Sequence, residues 1–138
     1  MILQVGVKIF LQNKEGKYLL VKRNPAKYGT TSGSWDIVGG RIDVGSKLLE
    51  NLKREVFEET KLDIEGEPIL INAQDIINTD NGLHVVRLSY QGKTSGEPIL
   101  DKIENTEYLW LGLDEMKEMG DLDLFVKEII NKGLIEYC

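Results

Sequence analysis

The sequence predicts a single layered domain of strands and helices, α+β or mixed α/β. Three observations predict it. Segments that alternate apolar and polar residues, the pattern of half-buried strands, occur before and after one long helical segment. A second helical segment near the C-terminus carries a continuous apolar face. The 138-residue chain has the size of one domain, with no linker, repeat or low-complexity stretch between these parts. Strands, helix, strands, helix in that order make a layered domain over residues 1–138.

Taken in order, Ile2 to Leu11 reads as a strand, with Val5, Val7 and Ile9 alternating with smaller or polar residues. Asn13-Lys14-Glu15-Gly16 signals a turn, and Tyr18 to Lys22 returns as a hairpin partner. Lys22 and Arg23 end that strand. Cations there can meet substrate phosphates, or simply be solvated. Asn24 to Ser34 is a loop with Pro25, Gly29 and Gly33. Trp35 to Val38 is a short strand leading into two glycines. After the long helix, Gly66 and Pro68 break the chain, and Ile69 to Asn78 is a strand. The Asn81-Gly82 pair signals a hairpin turn, and Leu83 to Tyr90 is its partner. His84 has no Cys or second His to share a metal and reads as structural or surface. Glu107 to Leu111 is the last strand, with Trp110 read as core. Asp114 to Met119 is a short helix. Asp121 is expected to cap a final helix, Leu122 to Lys132, whose buried face is Leu122, Phe125, Val126, Ile129 and Ile130.

The stretch from Gly39 to Leu62, GGRIDVGSKLLENLKREVFEETKL, carries the chemistry. Two glycines and Gly45 form a loop ahead of a helix. Glu55, Glu58 and Glu59 fall within about one turn of that helix, so their charges repel and resist ionising. A divalent cation relieves that conflict, and hard cations prefer carboxylate oxygens. On a helical wheel, Leu48, Leu49, Leu52 and Val56 form the apolar stripe. Glu59 projects inside the stripe, Glu55 at its edge, and Glu58 farther round. A carboxylate on the buried side needs a partner or a metal. The helix alone leaves a second reading open, in which Glu50, Arg54 and Glu58 form ion pairs on a wet face. Ser46, after Gly45 and before Leu48, is expected to cap the helix by accepting from the Leu48 or Leu49 amide.

These residues resemble the Nudix box, G-x5-E-x7-R-E-U-x-E-E-x-G-U with U a bulky aliphatic. Gly40, Arg54, Glu55, Val56, Glu58, Glu59 and Leu62 fit without a gap. Ser46 stands where the family has Glu, and Lys61 where it has Gly. Trp35 to Gly40 resembles the segment leading into the box, with Val38 where Pro is usual. The resemblance implies a Nudix α/β/α sandwich around a mixed sheet and a phosphoanhydride hydrolase using Mg²⁺ or Mn²⁺. It implies metal-binding and catalytic roles for Glu55, Glu58 and Glu59, and a metal-ligand role for the Gly39 carbonyl. Gly40 and Arg54 are implied to be structural, Arg54 bonding the loop or pairing with Glu50. Glu104, six residues before Trp110, stands roughly where MutT-like members place a further acidic residue; a solvated loop acid is the competing reading. By elimination of other signatures, the expected substrate is a nucleoside triphosphate. The alternatives are a nucleotide-sugar or other nucleoside diphosphate derivative, or a Nudix-like module that binds a nucleotide without cleaving it.

Composition narrows the partners. Net charge is −6 and the pI is about 4.9. No basic stripe is visible, which argues against a nucleic-acid polymer but not against a nucleotide bridged by metal. No apolar run approaches the roughly 20 residues of a membrane span. The N-terminus lacks a signal-peptide pattern. The only cysteine, Cys138, rules out an intrachain disulfide. A cytoplasmic protein, monomeric or homodimeric, is expected.

Overall fold

Strand β1 (Ile2–Gln12) buries apolar residues on both faces, and this sets the layers. Val7, Ile9 and Leu11 enter one buried cluster while Phe10 enters another, as the two-residue period of a strand requires. The structure is a computed structural model and describes residues 1–28 and 33–135. Its further elements are β2 (Tyr18–Arg23), α1 (Pro25–Tyr28), β3 (Trp35–Asp36), β4 (Val38–Arg41), α2 (Leu48–Thr60), β5 (Glu65–Asn78), β6 (Leu83–Lys93), β7 (Asn105–Leu111), α3 (Leu113–Lys117) and α4 (Leu124–Asn131).

The seven strands form one mixed sheet. Its path runs β3-β2-β1-β6-β5, with β4 paired to β1 and β7 to β2. β1 and β6 are parallel over their whole length, and the other pairings are antiparallel. Leu52 and Val56 of α2 pack on Val7, Ile9, Leu11 and Leu19. Val126, Ile129 and Ile130 of α4 pack on Phe10, Leu20 and Ile37. Each such burial contributes roughly 1.5–3 kcal/mol. The sheet therefore lies between two helices, the expected α/β/α sandwich. Among the described residues, no helix is long and apolar enough to cross a membrane.

Several boundaries differ from the sequence reading. The loop after β2 begins with the helical turn α1, started by Pro25, whose fixed φ suits a first helical position; residues 29–32 lie outside the described residues. Gly66 and Pro68 do not stop β5, which starts at Glu65 and absorbs them at a bulge before Ile69. Leu48 is exposed, because α2 begins there, at the rim of the sheet. Asp121 is not the cap of the last helix. That helix starts at Leu124, and Asp123 caps it, accepting from the Phe125 and Val126 amides at 3.1 and 3.2 Å. Asp121 instead binds the amides of Gly33 and Ser34 and the Ser34 hydroxyl.

Candidate active site

α2 turns its carboxylates to different places. Glu59, on the core side of the helix, is 9% exposed. Its Oε1 accepts from the Asn105 amide at 3.1 Å, and its Oε2 is buried without a hydrogen-bond partner among the described residues. Burial, with Glu55 and Glu104 nearby, pushes its pKa up to about 7, against the pull of Lys8 and Asn105. Glu55, one turn earlier, is half-buried, and burial raises its pKa as well. Glu58 points to solvent and pairs with Arg54 at 3.1 Å. Among the described residues, no three acidic, His or Cys side chains converge on one point. The inward pair is thus Glu55 and Glu59, and Glu58 is held away from it.

The glycines of β4 complete this corner. β4 runs against β1 with Lys8 opposite Gly39 and Val7 opposite Gly40. Gly39 has φ +148°, and a Cβ there would lie 2.0 Å from the Val7 carbonyl oxygen, so only glycine fits. A Cβ on Gly40 would fall 2.7 Å from the Glu55 carboxylate. The missing side chain is what lets that carboxylate lie against the strand. An unpartnered buried oxygen on Glu59 and a Glu55 carboxylate seated on bare backbone form a donor set that suits a hard divalent cation.

Arg54 bonds Asp43 of the loop at 2.7 Å and Asn51 Oδ1 at 3.0 Å. Its helical partner is Glu58 rather than Glu50. Ser46 does not cap α2. The helix begins one residue later than the cap requires, with Lys47 at the cap position and no side-chain bond there. Ser46 instead donates its backbone N–H to the Asp43 carbonyl in the preceding turn. The junction is held by Asn51, buried in the helix, whose Oδ1 accepts from the Asp43 amide while its Nδ2 donates to the Arg41 carbonyl. The sequence reading passed over Asn51. A polar residue between apolar Leu48 and Leu52 on a helix face was the available signal.

A cavity of about 660 Å³ opens beside this corner and is lined by Gly39, Gly40 and Glu59 at one end. Its floor is an ion-pair network. Asp36 accepts from Arg23 at 2.8 Å and Arg87 at 2.9 Å, with Lys8 at 3.2 Å. Asp123, the cap of α4, accepts from the same two arginines at 2.8 and 3.1 Å. Burial opposes ionisation of Asp36, but Arg87, Lys8 and Arg23 overcome it and hold the carboxyl well below the usual range. Arg23 makes both pairs through Nη2, and its side chain also lines the cavity. Asp36, Arg87, Asp123 and Lys8 were not singled out from sequence, since no spacing links residues on four separate elements.

Glu104 lies on the loop before β7. Lys27 and Tyr28 of α1 hydrogen-bond its two oxygens. Burial would raise its pKa, but those bonds and the Lys27 charge outweigh it and lower it. Glu104 is near enough to raise the pKa values of Glu55 and Glu59. It is neither a free loop acid nor in contact with them.

Comparison with known proteins places this architecture. The NUDIX domain family profile matches residues 2–132. The chain is 27% identical over 114 residues to a "MutT-like protein" of Streptomyces ambofaciens, covering 83% of this chain and 67% of that one. It is 31% identical over 72 residues to an "RNA pyrophosphohydrolase" of Mesorhizobium japonicum, covering 52% of this chain and 40% of that one. Among solved structures, the MutT protein of Methanosarcina mazei Go1 superposes with a TM-score of 0.82 at 22% identity, over 94% of this chain and 91% of that one.

Proposed function

The chain belongs to the NUDIX domain family as a MutT-like pyrophosphohydrolase, and from that premise we propose that it cleaves a nucleoside triphosphate at a phosphoanhydride bond with a divalent metal. The observation that carries this reading is the buried, unpartnered Glu59 oxygen at the end of a cavity large enough for a small ligand. Glu55 and Glu59 would hold the cation, with the Gly39 carbonyl as a further candidate ligand. When bound, Mg²⁺ or Mn²⁺ supplies charge neutralisation at the phosphates and a more acidic water. Asn105 orients Glu59 by engaging one oxygen and leaving the other free. Arg54, through Asp43 and Asn51, fixes the loop on which the helix starts. Lys8, beside Asp36 and close enough to lower the Glu59 pKa, adds positive charge where phosphates would lie. Glu58 reaches the site only if it exchanges Arg54 for the metal.

The test is a panel of nucleoside triphosphates, nucleotide-sugars and a 5′-triphosphorylated RNA, incubated with Mg²⁺ and read by release of pyrophosphate or phosphate. Turnover is expected on nucleoside triphosphates. Glu59→Gln should lower kcat by roughly 10² or more, the scale of lost electrostatic or acid–base catalysis. Turnover confined to nucleotide-sugars or to RNA would replace the substrate reading. Wild-type turnover that survives Glu59→Gln intact would move the site elsewhere.

A further inference from the structure

Glu59 stands in the last turn of α2, where a helix can no longer satisfy its own carbonyls. The segment before β7 satisfies two of them. The Ile99 amide donates to the Thr60 carbonyl at 2.9 Å, and the Asp101 amide to the Glu59 carbonyl at 3.0 Å. Asp101 then opens a turn. Its carbonyl accepts from the Glu104 and Asn105 amides at 3.1 and 3.0 Å, and its Oδ1 accepts from the Ile103 amide at 3.1 Å. The turn ends on Asn105, whose Nδ2 donates to Glu59 Oε1. One turn, residues 101–105, therefore holds Glu59 both by its backbone and by its carboxylate.

The other side of that turn meets Asn24, the residue after β2. The Asn24 backbone amide donates to the Glu104 carbonyl at 2.9 Å. Its side-chain Nδ2 donates to the Ile103 carbonyl at 2.9 Å and to the Lys102 carbonyl at 3.3 Å. Successive carbonyls of the turn thus take their bonds from one residue. The rest of Asn24 serves α1. Its Oδ1 accepts from the Ala26 amide at 3.0 Å, as an N-cap does, ahead of Pro25. Its carbonyl accepts from the Lys27 and Tyr28 amides at 3.1 and 3.0 Å. The two ends of the side-chain amide have separate tasks: the oxygen caps α1, and the nitrogen fixes the turn.

Resting on the proposed reaction, we propose that Asn24 is a positioning residue: its side-chain nitrogen sets the 101–105 turn and, through Asn105, the orientation of the Glu59 carboxylate. Asn24 bonds the turn and not Glu59, so its effect on the site is indirect. The bonds from Nδ2 lie at the surface, where water replaces a lost partner and little stability is at stake. Orientation is the more sensitive quantity, because a displacement of about 1 Å at a reacting centre can lower a rate by about 10².

The experiment compares wild type with Asn24→Asp and Asn24→Ser. Both replacements keep an oxygen for the Ala26 amide and are good N-caps, but neither carries the amide nitrogen. The first readout needs no turnover: the side-chain N–H signals of Asn105 in metal-free, nitrogen-labelled protein, followed by NMR. In both variants these signals are expected to move, while the backbone signals of β1 and β6 hold still and show the fold intact. The second readout is turnover of nucleoside triphosphates with Mg²⁺. There kcat should fall about tenfold or more while KM changes less than about threefold. Unmoved Asn105 signals in both variants would leave Asn24 a cap alone and overturn the proposal. Movement in Asn24→Asp only also overturns it, since the new charge beside Glu104 would then be the cause. Moved signals with kcat at the wild-type level overturn it as well. If the signals move and wild type hydrolyses none of the nucleotides, the hold on Glu59 through Asn105 stands and the proposed reaction falls.

Discussion

A single carboxyl, Glu59, ties stability to the site. Its folded pKa of about 7 lies above the ordinary 4.5, so the folded protein without metal prefers it protonated. The stability this supplies is complete below pH 4.5 and is lost as pH rises through 7. The loss amounts to roughly 3 kcal/mol, at about 1.4 kcal/mol per pH unit of displacement. Urea titration of metal-free protein from pH 4.5 to 8 should therefore show falling stability over that window. In Glu59→Gln this contribution to the slope should vanish, leaving the mutant the more stable protein at pH 8. A mutant that keeps the wild-type slope would show that another group causes it. Added Mg²⁺ should stabilise the wild type more at pH 8 than at pH 5, because the ligand must be ionised to bind.

Among the elements, α2 shows what the sequence could and could not reveal. Its apolar period located Leu52 and Val56 in the core and ordered the three glutamates from buried Glu59 to exposed Glu58. It could not say that Arg54 would hold Glu58 outward, since either rotamer of two long side chains satisfies the same spacing. Nor could it fix the helix start to one residue, which is why Ser46 was read as the cap. Two substitutions separate the junction residues. Asn51→Ala removes three hydrogen bonds from a buried position and should cost about 2 kcal/mol. Ser46→Ala should stay within about 0.5 kcal/mol, as a surface change away from any cap does. Denaturant midpoints of the two mutants at constant m-value decide this, and the reverse order would restore Ser46 as the anchor. The cleft network was illegible for another reason. Asp36, Arg87, Asp123, Arg23 and Lys8 meet only because β1, β2, β3, β6 and the start of α4 are folded together.

Across the whole molecule, that network joins the lining of the cavity to the capped end of α4. Arg87→Ala leaves Asp36 and Asp123 each short of one partner in a buried place and should cost about 3–5 kcal/mol. Thermal unfolding of this variant against Lys132→Ala, whose pair with Glu128 is exposed, measures the difference; equal melting temperatures would mean the network contributes no more than a surface pair. The sheet itself has a consequence for how the chain reaches this state. The N-terminal strand finds its longest partner only in β6, with Ile2 beside Leu83. During synthesis it must wait, unpaired along that edge, until more than half the chain has been made. Loop closure on that scale is entropically costly before any contact repays it, so refolding belongs in the millisecond-to-second range of non-local topologies. Truncations that stop before β6 leave a strand rich in Val, Ile, Phe and Leu without its parallel neighbour, and such fragments should aggregate rather than fold.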